Sequence, residues 1–204
     1  LNRLDIPVNP YDAFRCDVPN LSTSLYFVVN DSFYTRQLPQ AHLPEGVIVD
    51  SLCRVAATQP QLVEPYYGRL AQTGADALVA LNPMLAQDGL FIYVPRHVRM
   101  DRTVQIINIL RSDVDLMVNR RVLIVVEQGA EARFLFCDHA ADDRRFLATQ
   151  VIEAYVGDNA SLDLYCMEET HIRNTRTSNV FIEQQANSRV NHNVITLHNG
   201  TTVN

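Results

Sequence analysis

The sequence predicts a mainly β protein, a β-solenoid preceded by a small mixed α/β region. Three observations carry that expectation. From Leu90 onward, short runs rich in Val, Ile, Phe and Tyr place an apolar or small side chain at nearly every second position. Segments offset by 32, 30 and 28 residues then fall into columns. One column holds Leu90, Val122, Ile152 and Val180, and the next Ile92, Ile124, Ala154 and Ile182. Val94, Val126 and Val156 follow, with Gln184 as the exception. Past a turn come Val98, Ala130, Ala160 and Ser188, then Met100, Ala132, Leu162 and Val190. Arg102, Phe134, Leu164 and His192 precede the last column of Val104, Phe136, Cys166 and Val194. Third, only 7 glycines and unequal offsets mark a degenerate repeat without a tight short-period motif.

One coil cannot bury its own inward side chains. Stacking coils about 4.8 Å apart lets like residues fill a continuous column while the backbones pair. A buried Val, Leu or Ile contributes roughly 1.5–3 kcal/mol, so the columns dominate stability. A Greek-key sandwich also offers short strands but predicts no column register.

Residues 1–87 read as the mixed region and residues 88–204 as the first coils of the solenoid. "SLYFVV" (Ser24–Val29) and "SFYTRQL" (Ser32–Leu38) flank Asn30-Asp31, a hairpin signal. "EGVIVDSL" (Glu45–Leu52) predicts another strand. "QLVEPYYGRLAQ" (Gln61–Gln72) and "DALVALNPMLAQ" (Asp76–Gln87) carry helical apolar spacing, and Gly89 is placed to stop the second helix. Leu1 is not an initiator methionine and the chain stops just after a strand-like run, so a piece of a longer protein is expected.

The chain has 204 residues, 47% of them hydrophobic, enough for a real core. A net charge of −6 argues against a nucleic-acid or anionic-membrane surface. All 17 basic residues are arginine, which excludes a P-loop lysine and a lysine Schiff base within these residues. Cys16, Cys53, Cys137 and Cys166 do not resemble a dense disulfide framework, and no run reaches the roughly 18 apolar residues of a membrane helix. A cytoplasmic protein with free thiols is expected.

Two stretches, "GAEARFLFCDH" and "NASLDLYCMEETH", each climb to a cysteine and then a histidine. The register explains the likeness as one unit written twice. Cys166 falls in an inward column, and Cys137 is one position out of phase, on the other face. Two thiols on opposite faces cannot share one ion. Glu168, Glu169 and His171 read as a solvated loop, and Cys137, Asp138, His139, Asp142 and Asp143 as a charged corner; a metal role for either is the lesser alternative. His192 reads as an inward, hydrogen-bonded histidine and His97 as a turn residue. Outward, Glu131, Ser161 and Arg189 stack, then Arg133, Asp163 and Asn191, which reads as surface pairing. Leu135, Tyr165, Met167, Ile195 and Leu197 form an outward apolar stripe that needs cover, expected from within the chain. With no G-x-S-x-G, H-E-x-x-H or dinucleotide glycine pattern, no catalytic, cofactor-binding or metal residue is assigned.

Several segments resemble the SufB/SufD family, closer to its SufD branch. "FVVNDSF" followed by "LPEGVIVDSL" resembles the family's strand–turn–strand and L-P-x-G-V, and "DALVALNPMLAQDGLFIYVP" its entry into a β-helix. "LIVVEQGAEARFLF", "VGDNASLDLYCME" and "NSRVNHNVITLHNG" are similar to its successive coils. The resemblance implies a flattened right-handed parallel β-helix and a non-catalytic scaffold role in iron–sulfur cluster assembly. It implies SufB and the ATPase SufC as partners of the full-length protein, with iron or a cluster bound only in the full complex. The family's C-terminal helices and its late H-G-A-T segment have no counterpart here, so no site residue is carried over. A carbohydrate-active hydrolase or lyase is the alternative that a β-helix with exposed carboxylates admits. The strand holding Val194 and Thr196 would be left at an open edge, where self-association of this fragment is expected.

Overall fold

A computed structural model describes residues 24–34, 43–72 and 76–204. Strand β1 (Ser24–Val29) turns through Asn30-Asp31 into the short β2 (Ser32–Phe33), with Val28 opposite Phe33. Asn30 takes φ 56°, the left-handed geometry that asparagine tolerates. The hairpin is therefore as expected; residues 35–38 of the predicted second strand lie outside the described residues, as does Cys16.

Strands β3 (Ile48–Ser51), β4 (Leu90–Val94), β5 (Val104–Leu110), β6 (Leu116–Val126), β7 (Glu131–Ala140) and β8 (Phe146–Val156) follow, then β9 (Ser161–Glu169), β10 (Thr175–Gln184), β11 (Arg189–His198) and β12 (Thr201–Val203). They alternate between two sheets, ordered β11-β9-β7-β5-β1-β2 and β12-β10-β8-β6-β4-β3. All neighbours are parallel except β1 with β2 and β3 with β4, so the chain winds as a parallel β-helix closed at one end by antiparallel strands.

The columns are real. Ile92 pairs with Ile124, Ile124 with Ala154 and Ala154 with Ile182, and the Leu90 and Val94 columns keep the same register. Across the other sheet, Phe134 pairs with Leu164 and Phe136 with Cys166, which continue to His192 and Val194. Ile92, Ile124, Ala154 and Phe134 are fully buried in one core running between the sheets. The first coil breaks the rule. Arg99 still bridges Glu131, but Val104 pairs with Phe134 and Ile106 with Phe136. The corner before β5 holds two more residues than the later corners, so Arg102 lies exposed in a bend and Val104 takes the inward place expected for it.

A second column forms at one corner. His97, Gly129, Asn159 and Asn187, separated by the same offsets, all adopt positive φ between 56° and 68°. His97, Gly129 and Asn159 each donate their backbone N–H to the carbonyl of the next coil, at 2.8–3.0 Å. At Gly129 a Cβ would stand 2.5 Å from the His97 ring, so the glycine there answers both the backbone and the space.

Residues 52–72 and 76–85 cover the outer face of the second sheet. Helix α1 (Leu52–Thr58) starts directly from β3, one residue inside the stretch predicted as strand, because the Ser51 hydroxyl caps Arg54 N–H. The predicted helix over Gln61–Gln72 does not form. A single 3-10 turn (Pro60–Leu62) leads into irregular turns, since Pro65 lies mid-segment and Gly68 takes φ 75°. Helix α2 (Ala77–Leu85) forms as expected, with Asp76 accepting from Leu78 and Val79 N–H at 2.7 and 3.2 Å. It ends before Gly89, whose role is different: a Cβ there would lie 2.4 Å from the Arg121 carbonyl. Asp88 ties the region together, accepting from the Ser51 hydroxyl at 2.7 Å and from Phe33 and Cys53 N–H at 3.1 Å. Among the described residues no helix is long and apolar enough to cross a membrane.

Strand β11 forms one sheet edge, and its Val194, Ile195 and Leu197 are 39%, 54% and 61% exposed. Unpaired strand edges recruit other chains. The 204-residue chain is expected to self-associate with rising concentration in light scattering; a strict monomer at high concentration contradicts this.

Candidate functional site: a charged seam inside the coil

The inward face of the coil is not apolar throughout. Two residues beyond Phe136 and Cys166 on the same strands stand Asp138 and Glu168, and period-2 alternation points both into the interior. Asn108, Asp138, Glu168 and Thr196 are in register across four parallel strands. Facing them from the other sheet, Arg120, Gln150 and Ser178 form a second polar row, with Arg176 two residues before Ser178.

The rows join through charge. Arg120 Nη1 donates to Asp138 Oδ1, and its Nε donates to the Asn30 carbonyl at 2.8 Å. Arg176 lies 3.1 Å from Asp138 and 3.5 Å from Glu168. Thr202 and Thr196 hydroxyls donate to Glu168 Oε2 at 2.8 and 3.3 Å. The four charged side chains are at most 5% exposed, and the two guanidinium groups balance the two carboxylates. Burial alone would raise the Asp138 carboxyl, but Arg176 and then Arg120 outweigh it and hold it below its ordinary value.

Cys166 borders the seam, its Sγ 3.9 Å from His192 Nε2. Burial, reinforced by Asp138 and opposed by Arg176, pushes this thiol up to about 12. Burial likewise lowers the His192 imidazole, so at neutral pH the pair is a thiol beside a neutral ring. Cys137 lies on the opposite face of its strand, buried, with the Gln105 amide donating to it at 3.3 Å. The two thiols are separated as the register required.

The structure divides the two predicted polar clusters. Asp138 and Glu168 are not in a corner or loop but on strands, and are among the most buried charges in the chain. Their neighbours stay outside. Glu169 is exposed, His171 Nδ1 accepts from Arg173 N–H at 3.3 Å, and Asp142 accepts from Ser112 N–H at 3.0 Å. His139, next to Asp138, is held low mainly by burial. No group of three His, Cys, Asp or Glu side chains among the described residues is placed to hold a metal ion. Asp163 pairs with Arg133 at 3.3 Å, as expected, whereas Glu131 pairs with Arg99 at 2.9 Å and Arg189 donates to the Ser161 hydroxyl at 3.1 Å. The outward stripe is half-covered at Leu135, Tyr165 and Met167 and opens at Ile195 and Leu197.

A second charged contact lies on the outer face of the second sheet. Glu153 accepts from Gly68, Leu70 and Ala71 N–H at 2.8, 2.8 and 2.9 Å and pairs with Arg121, both side chains at most 1% exposed. The Arg121 guanidinium stacks 4.8 Å over the Tyr67 ring. Tyr155 donates to the Tyr66 carbonyl at 2.7 Å. A strap of irregular chain is thus tied to the sheet by one carboxylate, one tyrosine hydroxyl and one guanidinium–ring contact.

Comparison with known families finds two profiles in sequence. The "SufBD protein N-terminal region" matches residues 1–106, and the "SUF system FeS cluster assembly, SufBD core domain" matches residues 108–204. The chain belongs to the SufBD family. Among curated SufBD relatives, ABCI9 of Arabidopsis thaliana is 25% identical over 162 residues, covering 79% of this chain and 33% of the relative. The family protein slr0074 of Synechocystis is 29% identical over 119 residues, 58% of this chain and 25% of its own length. SufD of Bacillus subtilis is 27% identical over 148 residues, 72% of this chain and 34% of its own. The chain therefore spans about a third or less of these relatives. Membership supports a role in iron–sulfur cluster assembly.

The separated thiols and the raised Cys166 make a measurable expectation. Purified alone and reconstituted anaerobically with iron and sulfide, this chain should hold no stoichiometric cluster by absorption and iron analysis. A stable cluster lost in Cys166→Ser contradicts it.

Proposed function

We propose that this chain is a portion of a SufD-type scaffold subunit, cytoplasmic and without catalytic residues of its own, that works with SufB and SufC in the full-length protein. The observation that carries the reading is the pair of consecutive SufBD profiles over a continuous β-helix, with a curated SufD among the relatives. Two features of the site support it. The seam's charges neutralise one another, and the bordering cysteine is held as a thiol, so the interior is built to be fixed rather than reactive. Iron or a nascent cluster is cargo of the assembled complex on this reading. The outward carboxylates Glu131 and Asp163, which sugar cleavage would need free, are paired with arginines.

The test is co-expression of the full-length protein with SufB and SufC, followed by tandem purification and cluster reconstitution. The three should co-purify and the complex should assemble a cluster. Failure to associate, or cleavage of polyuronides by the purified protein, overturns the proposal.

A further inference from the structure

The corner between the two sheets, opposite the left-handed one, stacks Asp115, Arg145 and Arg173 at successive offsets of 30 and 28 residues. Asp115 is committed to Arg145, which donates Nε at 2.7 Å and its backbone N–H at 3.1 Å. Arg173 meets no carboxylate among the described residues; its Nη1 has only the Asp143 carbonyl, at 3.4 Å. Among the side chains that line this face, two arginines stand against one carboxylate, at the end of the stack, which leaves a positive excess along the wall.

Beside that corner, Met117, Leu147 and Thr175 form the next outward row, in register across β6, β8 and β10. The following row is closed: Asn119, Thr149 and Thr177 are buried, and Asn82 of α2 donates to Thr149 Oγ1 at 3.1 Å. Among the described residues cover stops there, and Leu147 is 38% exposed. The result is an open groove of about 470 Å³ with an apolar floor and an arginine wall. In a chain of net charge −6, this wall selects for an anion, and the floor selects for an apolar neighbour beside it.

We propose that this groove is a docking site for an acidic, apolar-flanked segment of a partner protein, its carboxylates meeting Arg173 and Arg145 and its apolar side chain lying on Leu147 and Met117. The choice of a protein occupant rests on the scaffold reading. The segment binds extended along the groove, reaching across three rungs.

Methyl and arginine NMR of the 204-residue chain alone tests this, with acetyl-Leu-Glu-Asp-Leu-amide as probe. Saturable shifts should appear at the Met117 and Leu147 methyls and at Arg173 Nε. The neutral acetyl-Leu-Gln-Asn-Leu-amide should leave them unmoved. Arg173→Gln should weaken the acidic peptide by about fivefold, the size of a partly exposed ion pair, and Leu147→Ser should weaken it too. Both positions are exposed, and an unchanged melting curve confirms that each variant folds. Equal binding of the neutral peptide, no shift at Leu147, or indifference to Arg173→Gln overturns the proposal. Inorganic phosphate moving Arg173 as strongly as the peptide does, with the methyls still, overturns the protein occupant in favour of a simple anion site. SufB and SufC are absent from this experiment, so its failure is separate from failure of the complex to assemble.

Discussion

Asp138→Ala is expected to destabilise the fold by about 3–5 kcal/mol, the range for removing one member of a buried ion pair. The upper end applies because one carboxylate serves both Arg120 and Arg176. Without it two guanidinium groups remain desolvated, with Glu168 left among the described residues to offset Arg176. Urea unfolding should show the midpoint falling with little change in slope. Arg176→Met should be milder, because Asp138 keeps Arg120 and Glu168 keeps the Thr196 and Thr202 hydroxyls. The pH dependence follows from the lowered carboxyl. Its folded value lies below the unfolded one near 4, so its stabilisation is fully present above that value and is lost as pH falls through the folded value. Asp138→Asn should flatten that acidic limb. A variant that melts like the parent would show that the seam's charges are not mutually dependent.

Glu153→Ala should have an effect of similar size, again about 3–5 kcal/mol, by a different route. The carboxylate satisfies Arg121 and three backbone amides at once, so its loss strands four donor groups, of which Arg121 and the Ala71 N–H are buried. The damage should be local first. Hydrogen exchange at Gly68, Leu70 and Ala71 should lose protection while Ile124 and Ile152, deep in the coil, keep theirs. Protease cleavage should concentrate between Tyr66 and Leu70. Uniform loss of protection across coil and strap would mean that the strap is not a separable element.

The coil was legible because its inward columns repeat at nearly constant offsets and the burial is apolar. The one slip, at Arg102, came where a corner gained two residues while the flanking pattern stayed intact. Gln61–Gln72 carried helical spacing, yet three of its backbone amides, at Gly68, Leu70 and Ala71, are satisfied by Glu153, more than 80 residues away, which no local pattern reveals. The seam escaped for a related reason. Asp138, Glu168 and Arg176 occupy inward positions of the same alternation, but polarity there looks like the end of a strand. Carrying the parity two residues past Phe136 and Cys166 would have found both acids. It would not have found their partners, since pairing across the interior depends on how two sheets face each other.

Arg176 on β10 reaches Glu168 on β9 and also Asp138 on β7, a full coil further back. A stack in which each coil met only its neighbours would behave as a one-dimensional chain, fraying coil by coil from its exposed edge. A contact that skips a coil changes that cooperativity. Peeling β10 away would expose Asp138 and Arg120 as well, so loss of the outer coil carries the electrostatic penalty of the inner one. Native-state hydrogen exchange should therefore show one shared opening free energy from β6 to β10, with a gradient only in β11 and β12.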